Sequence, residues 1–99
     1  MYLNMYTIYD TVTEVFNRPF TEINDASATR AFTNSIEEAK NKNEYELYHI
    51  GAYNDNNGQL EGNLHPVKIK TGFEVTKAKS ITPEMQLADL AKHENIKQA

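Results

Sequence analysis

The chain has 99 residues, a net charge of −4 at pH 7 and no cysteine. A chain of this length buries roughly 60–65% of its unfolded surface, which supplies one modest hydrophobic core. Without cysteine there is neither a disulfide framework nor a thiolate metal site, and no apolar run approaches the roughly 20 residues of a membrane helix. The charge also argues against a dedicated nucleic-acid binder, because such proteins are strongly basic.

The first predicted element is a strand over residues 2–9, which are rich in aromatic and β-branched side chains. Its apolar residues fall on both faces, as expected for a strand that is covered on both sides or lies in a dimer interface. The segment 12–23 is predicted to form a loose hairpin or edge element around a turn at residues 17–19. Pro19 in that turn excludes a central, fully paired strand.

A helix is predicted from Asn24 to about Lys40. Asn24 and Asp25 supply an N-cap, since a short side-chain oxygen can accept from the first unsatisfied backbone N–H groups. The apolar residues that follow have the three-and-four spacing of one helical face. They are Ala28, Ala31, Phe32, Ile36 and Ala39. Arg30 falls off that face.

Three strands are predicted after this helix. Residues 45–53 form the first, and the Asn, Asp and Gly residues at 54–58 predict a turn that joins it to residues 59–64 as a hairpin. Residues 67–76 alternate between apolar and mostly cationic side chains. This alternation predicts a strand with one apolar and one cationic face.

The end of the chain carries a helix start at residues 82–84, where Thr is the N-cap and Pro lies in the first turn. The order of elements predicts an α+β fold: an antiparallel β-sheet with one central helix packed on one face, plus a C-terminal helix. We expect a single α+β domain over residues 1–80. Residues 81–99 are expected to form a C-terminal helix or a partly ordered tail.

Four lysines form the one candidate cationic patch in the sequence, with Glu74 as the single acidic residue between positions 66 and 80. They are Lys68, Lys70, Lys77 and Lys79. Lys68 and Lys70 are predicted to project from the same strand face, roughly 6.5–7 Å apart, close to the spacing of phosphates on an extended single strand. Exposed strand lysines also keep a sheet edge soluble and unpaired, and the sequence alone slightly favours that role.

Tyr48 is the aromatic candidate, because its small and aliphatic neighbours on the same strand face let its ring reach the sheet surface. Any base can stack on such a ring. The other tyrosines are expected in the core or an interface, with their hydroxyls at the rim. Arg30 could bind a phosphate bidentately, pair with Asp25 or Glu37, or cover Phe32.

The sequence offers no catalytic pattern. His49, His65 and His93 match no zinc spacing, and there is no nucleophile elbow, phosphate loop or dinucleotide fingerprint. We therefore predict a protein that is not an enzyme and that has no metal and no cofactor. No secretory signal is expected, because no basic segment precedes an apolar stretch at the N-terminus.

Four pieces of roughly residues 1–60, taken in order, carry a family resemblance. They are Tyr9-Asp10, Pro19-Phe20, Ala28-x-Arg30-Ala31-Phe32, and Tyr45-x-Leu47-Tyr48-x-Ile50-Gly51 followed by a turn with Gly58. This set resembles the small nonstructural protein of gokushoviruses, the single-stranded DNA bacteriophages of the microvirus group. The resemblance implies a DNA-binding protein that serves phage DNA synthesis or packaging in the cytoplasm of the infected bacterial host.

Two functions remain open at this point. In the first, the protein binds single-stranded DNA non-specifically through the four lysines, Arg30 and Tyr48, as a homodimer that doubles a weak patch. In the second, it is a non-enzymatic adaptor that docks on a phage replication or capsid protein through its acidic half or its C-terminal helix. Neither function involves a membrane.

Overall fold

The structure is a computed structural model that describes the backbone of residues 1–79 and the side chains of residues 1–76. Its elements in chain order are β1 (Tyr2–Asp10), β2 (Val15–Phe16), β3 (Phe20–Glu22), α1 (Asp25–Ser35), a short 3-10 helix (Lys42–Glu44), β4 (Tyr45–Asn54), β5 (Leu60–Thr71) and α2 (Gly72–Lys79). The antiparallel sheet with one central helix and a short C-terminal helix confirms the predicted α+β fold class. The helix predicted from Thr82 onward lies outside the described residues.

The sheet is curled and antiparallel, with the strand order β2-β1-β4-β5 and with β3 also paired to β1. β2 and β3 both pair with β1 and lie along the same edge of it. The segment predicted as a loose hairpin or edge element is therefore an edge element. Pro19 lies between these two short strands, where no ladder hydrogen bond needs its missing N–H.

Helix α1 begins where the sequence predicts. The Asn24 side chain accepts from the Ser27 backbone N–H at 2.9 Å, and the Ser27 hydroxyl is placed to accept from the Asn24 N–H, which together form a capping box. The helix ends at Ser35, however, five positions before the predicted Lys40. A longer helix would place acidic residues 37 and 38 at the negative end of its dipole, which is unfavourable.

The core lies between α1 and the face of the sheet that presents Tyr6, Ile8 and Leu47. Its buried residues are Tyr6, Ile8, Ala28, Phe32, Ile36, Leu47 and Val75. Phe32 is fully buried, which contributes about 1.5–3 kcal/mol relative to an exposed position. Tyr6 also joins the two layers, because its hydroxyl donates to Asp25 Oδ1 of α1 at 2.6 Å.

The strand predicted over residues 67–76 is wrong beyond Thr71, where α2 begins. Thr71 and Glu74 cap this helix reciprocally: the Thr71 N–H donates to Glu74 Oε1 at 2.8 Å, and the Glu74 N–H donates to Thr71 Oγ1 at 3.1 Å. Gly72 lies so close to the Lys42 carbonyl that a Cβ atom there would overlap it. The capping box thus overrides the strand alternation, and Lys77 and Lys79 lie on a helix and not on a strand.

The two faces of the sheet differ in what covers them. Helices α1 and α2 both contribute to the core on one face, through Phe32 and Val75 among others. No helix of the described residues packs on the other face, which we call the open face. The described part of the chain also contains no helix long and apolar enough to cross a membrane.

Candidate nucleic-acid interface

Three aromatic rings meet on the open face, and we call them the aromatic cluster. Tyr9 of β1 pairs with Phe16 of β2, and their ring centroids are 4.5 Å apart. Tyr48 of β4 completes the cluster, with its centroid 5.6 Å from Phe16 and 6.1 Å from Tyr9. These tilted and edge-on arrangements are those that aromatic quadrupoles favour. Phe16 remains 46% exposed, so the cluster is accessible from solvent.

A carboxylate connects this cluster to a lysine. The Tyr48 hydroxyl donates to Glu46 Oε1 at 2.8 Å, and Lys68 Nζ lies 3.3 Å from Glu46 Oε2. The Glu46 side chain is 18% exposed, whereas that of Lys68 is 48% exposed. Burial, followed by the hydrogen bond to Glu46, raises the pKa of Tyr48 to about 12. The hydroxyl therefore stays protonated and continues to donate at neutral pH.

The structure brings together two of the predicted site residues. Tyr48 and Lys68 are direct partners across β4 and β5. Lys70, in contrast, pairs with Leu47, because a register shift leaves Ile69 as an extra residue on β5. Leu47 points into the core, so the strict alternation of Lys68 and Lys70 is interrupted at this bulge, although both lysines are exposed and Ile69 between them packs against the core.

The remaining predicted residues lie elsewhere. Arg30 is exposed on α1, and α1 packs on the face of the sheet opposite to Tyr48. Arg30 and Tyr48 therefore do not share a surface. Lys77 and Lys79 lie on α2, and their side chains are outside the described residues.

Sequence reasoning missed three members of the site: Tyr9, Phe16 and Glu46. Tyr9 alternates with buried Ile8 and could have been placed on the open face from that alternation alone. Phe16 gives no such signal, because β2 has two residues and its pairing with β1 is not visible in the local sequence. Glu46 alternates with Leu47 and lies two residues from Tyr48 on the same strand, but its contact with Lys68 depends on the pairing of β4 with β5.

His49 of β4 belongs to a separate polar network that joins β4 to β1 and β5. Its Nε2 lies 3.0 Å from Asn4 Oδ1, and Asn63 Nδ2 lies 2.8 Å from His49 Nδ1 and 2.9 Å from the His49 carbonyl oxygen. In the arrangement that satisfies these contacts, Nδ1 accepts from Asn63 and Nε2 donates to Asn4. The network fastens an insertion at residues 63–66 of β5 to β4.

This network explains His49 as a structural residue. No group of three or more His, Cys, Asp or Glu side chains within the described part of the chain is placed to hold a metal ion. The chemistry that the open face offers is instead stacking on aromatic rings beside one lysine. Planar, anionic ligands fit that combination.

Residues 3–75 match the model of a family described as phage ORF5 protein. No curated protein and no solved structure matches the chain significantly. The matched span contains the whole aromatic cluster together with Glu46 and Lys68. Since the match extends over most of the sequence, the chain belongs to the phage ORF5 protein family.

Proposed function

We propose that this small phage protein binds single-stranded DNA non-specifically through the open face and thereby assists viral DNA synthesis or packaging. The observation that supports the proposal is the aromatic cluster beside Lys68 on a face that no described helix covers. Every base has a π-face, and stacking on a protein aromatic ring contributes about 1–3 kcal/mol per base. Stacking is also tolerant of sequence, as a protein of this role requires.

The acidic charge of the chain determines where the affinity for DNA comes from and how strongly it depends on salt. With a net charge of −4, long-range attraction to phosphate is absent, so stacking must supply most of the affinity. Tyr48 and Lys68 lie at the centre of the proposed interface, with Tyr9 and Phe16. For one or two phosphate contacts to single-stranded DNA, the logarithm of the affinity should fall with that of the salt concentration at a slope of about −0.7 to −1.4.

The other predicted cations have peripheral roles in this proposal. Lys70, Lys77 and Lys79 follow Lys68 along the chain and would contact phosphates beyond the aromatic cluster. Arg30 would contact DNA only where the strand wraps around the edge of the sheet. The resemblance to gokushovirus nonstructural proteins supports the choice of single-stranded DNA as the ligand and the host cytoplasm as the location.

The test is the anisotropy of a labelled single-stranded oligonucleotide titrated with protein across a salt series. Phe16→Ala should weaken binding roughly 5- to 150-fold, the loss of one stacking platform. Phe73→Ala is the matched control, because Phe73 is 56% exposed, close to the 46% of Phe16, but lies on α2. Absence of binding at low salt, or an equal effect of both substitutions, would refute the proposal.

A second candidate function is the adaptor that docks on a phage replication or capsid protein. It is favoured by the apolar residues that β5 leaves exposed: Leu60, Leu64 and Val67 are 66%, 93% and 50% exposed. Within residues 1–79, β5 is also the last strand of the sheet, and such edges accept a strand from a partner. The same edge could pair two copies of the chain, which would double the lysine patch.

The edge and the open face can be tested separately. Leu64→Ser removes the most exposed of these apolar side chains and lies outside the aromatic cluster. The adaptor role and the homodimer both predict that this change abolishes association, measured by sedimentation of the protein alone and with the purified phage protein. Oligonucleotide binding that survives the change with an unaltered salt slope would assign DNA to the open face of a single copy.

A further inference from the structure

Glu46 is an unusual neighbour for a DNA-binding lysine, since a carboxylate repels phosphate. Both of its oxygens are engaged in the free protein, Oε1 by the Tyr48 hydroxyl and Oε2 by Lys68. We propose that Glu46 competes with DNA phosphate for Lys68 and so limits both the affinity and the salt dependence of single-stranded DNA binding. This inference rests on the function proposed above and concerns the regulation of the same site.

The exposure of the two side chains makes such competition physically reasonable. Lys68 is 48% exposed and ends a flexible stem, so its ammonium can turn from Glu46 to a phosphate without a change in the sheet. An ion pair this open to water is weak, because solvent screens it and the lysine loses rotamer freedom when it is held. Lys68 therefore pairs with Glu46 in the free protein, but the pair is weak enough for a phosphate to displace Glu46.

The position of Glu46 makes the competition local to the aromatic cluster. Glu46 pairs with Tyr9 across β1 and β4, and its carboxylate accepts from Tyr48. A phosphate that follows a base stacked on these rings approaches Lys68 and Glu46 together. The attraction of the phosphate to Lys68 and its repulsion by Glu46 then nearly cancel, so electrostatics add little to the stacking energy.

Glu46→Gln removes the negative charge of the side chain and keeps its shape. Glutamine has the same length, and its carbonyl oxygen can still accept from the Tyr48 hydroxyl. The substitution should tighten binding of a labelled single-stranded oligonucleotide roughly three- to tenfold at low salt, since Lys68 becomes free for phosphate. The slope of the log–log salt plot should become more negative by about 0.7, the value for one more phosphate contact.

A control variant removes the same unit of charge elsewhere. Glu61→Gln changes the net charge equally, but Glu61 is exposed on β5 and pairs with Ala52, away from the cluster. It should leave the salt slope unchanged. The gain from Glu46→Gln should disappear in the double variant with Lys68→Gln, because no lysine is then released.

A second readout does not involve DNA. The hydrogen bond and charge of Glu46 contribute to the raised pKa of Tyr48, after burial. In Glu46→Gln the pKa of Tyr48 should therefore fall part of the way from about 12 toward the ordinary value of 10, measured by its alkaline absorbance change. A pKa that remains above 10 would also show that the variant still buries Tyr48 in the cluster, because burial is the larger cause of the raised value.

The possible results separate the inference from the proposed function. Wild-type binding with no tightening in Glu46→Gln, or with equal tightening in Glu61→Gln, overturns the competition and leaves DNA binding in place. Weaker binding by Glu46→Gln also overturns it, since Glu46 would then support Tyr48 and not oppose phosphate. If no variant binds at low salt, both the inference and the proposed function fall.

Discussion

Tyr6→Phe tests the link between the sheet and α1. The Tyr6 side chain is fully buried, and its hydroxyl donates to Asp25 Oδ1 at 2.6 Å. Its ring stacks on Phe20 at 5.9 Å and meets His49 edge-on at 5.1 Å, and phenylalanine preserves both contacts. A hydrogen bond to a charged group contributes about 1.5–3 kcal/mol, and exposed Asp25 can turn to water once the bond is lost. We therefore expect a loss of about 1.5–2 kcal/mol in the free energy of unfolding.

Urea unfolding followed by circular dichroism measures this loss. The slope for a protein of 99 residues is roughly 1 kcal/mol/M, so the midpoint should fall by about 1.5–2 M. Tyr2→Phe is the control, because Tyr2 is 57% exposed, and it should change the unfolding free energy by less than about 0.5 kcal/mol.

The pH dependence gives an independent check on the same bond. Burial, followed by the hydrogen bond to Asp25, raises the pKa of Tyr6 well above its ordinary value of 10. Above pH 10 the unfolded chain loses this proton while the folded protein keeps it, so stability is full below pH 10 and falls as pH rises further. Tyr6→Phe should flatten that fall. Equal midpoints for Tyr6→Phe and Tyr2→Phe, with an unchanged alkaline slope, would refute the role of the bond.

Three further outcomes follow from the packing. Gly51→Ala should lower the free energy of unfolding by several kcal/mol in thermal unfolding, because the new Cβ would overlap a β5 backbone oxygen. Gly62→Ala is the control and should lower it by about 1 kcal/mol or less, because its Cβ meets nothing closer than 4.0 Å. Leu47→Ala should cost about 2–5 kcal/mol in urea unfolding, while Leu64→Ala, at a site 93% exposed, should stay within about 0.5 kcal/mol. Tyr48→Phe should remove one tyrosine that titrates near pH 12 from the alkaline absorbance curve, and an unchanged curve would contradict its burial.

The parts of the fold that the sequence predicts well are those with local causes. Asn24 caps α1, and the helical spacing of Ala28 and Phe32 identifies the face that is buried, because both depend on residues within a few positions. The end of α1 and the start of α2 were predicted wrongly. At Thr71 a reciprocal cap with Glu74 competes with an alternating pattern, and the alternation alone does not show which of the two is stronger.

The candidate site was harder to predict, because it depends on strand register. Alternation predicts that Lys68 and Lys70 share a face. Because Ile69 is an extra residue on β5, Lys68 lies opposite Tyr48 and Lys70 lies opposite Leu47, the immediate neighbour of Tyr48. Phe16 joins Tyr48 only because β2 and β4 flank the same strand. A single sequence contains neither pairing, so Tyr48 and Lys68 could be selected as candidates without their relation to each other being known.

The acidic composition of the chain and a role in DNA binding are compatible once the site is considered locally. Non-specific binding driven by counterion release needs many clustered cations, and its affinity collapses as salt rises. A cluster of three rings with one lysine held by Glu46 would gain its affinity for single strands from contacts that salt barely affects. Such a protein would bind single strands weakly per site. It would bind duplex DNA less well than single strands, because the bases of a duplex are already stacked on one another. Under the proposed function, few cations are needed to recognise single strands, since phosphates are common to both forms of DNA and unstacked bases are not.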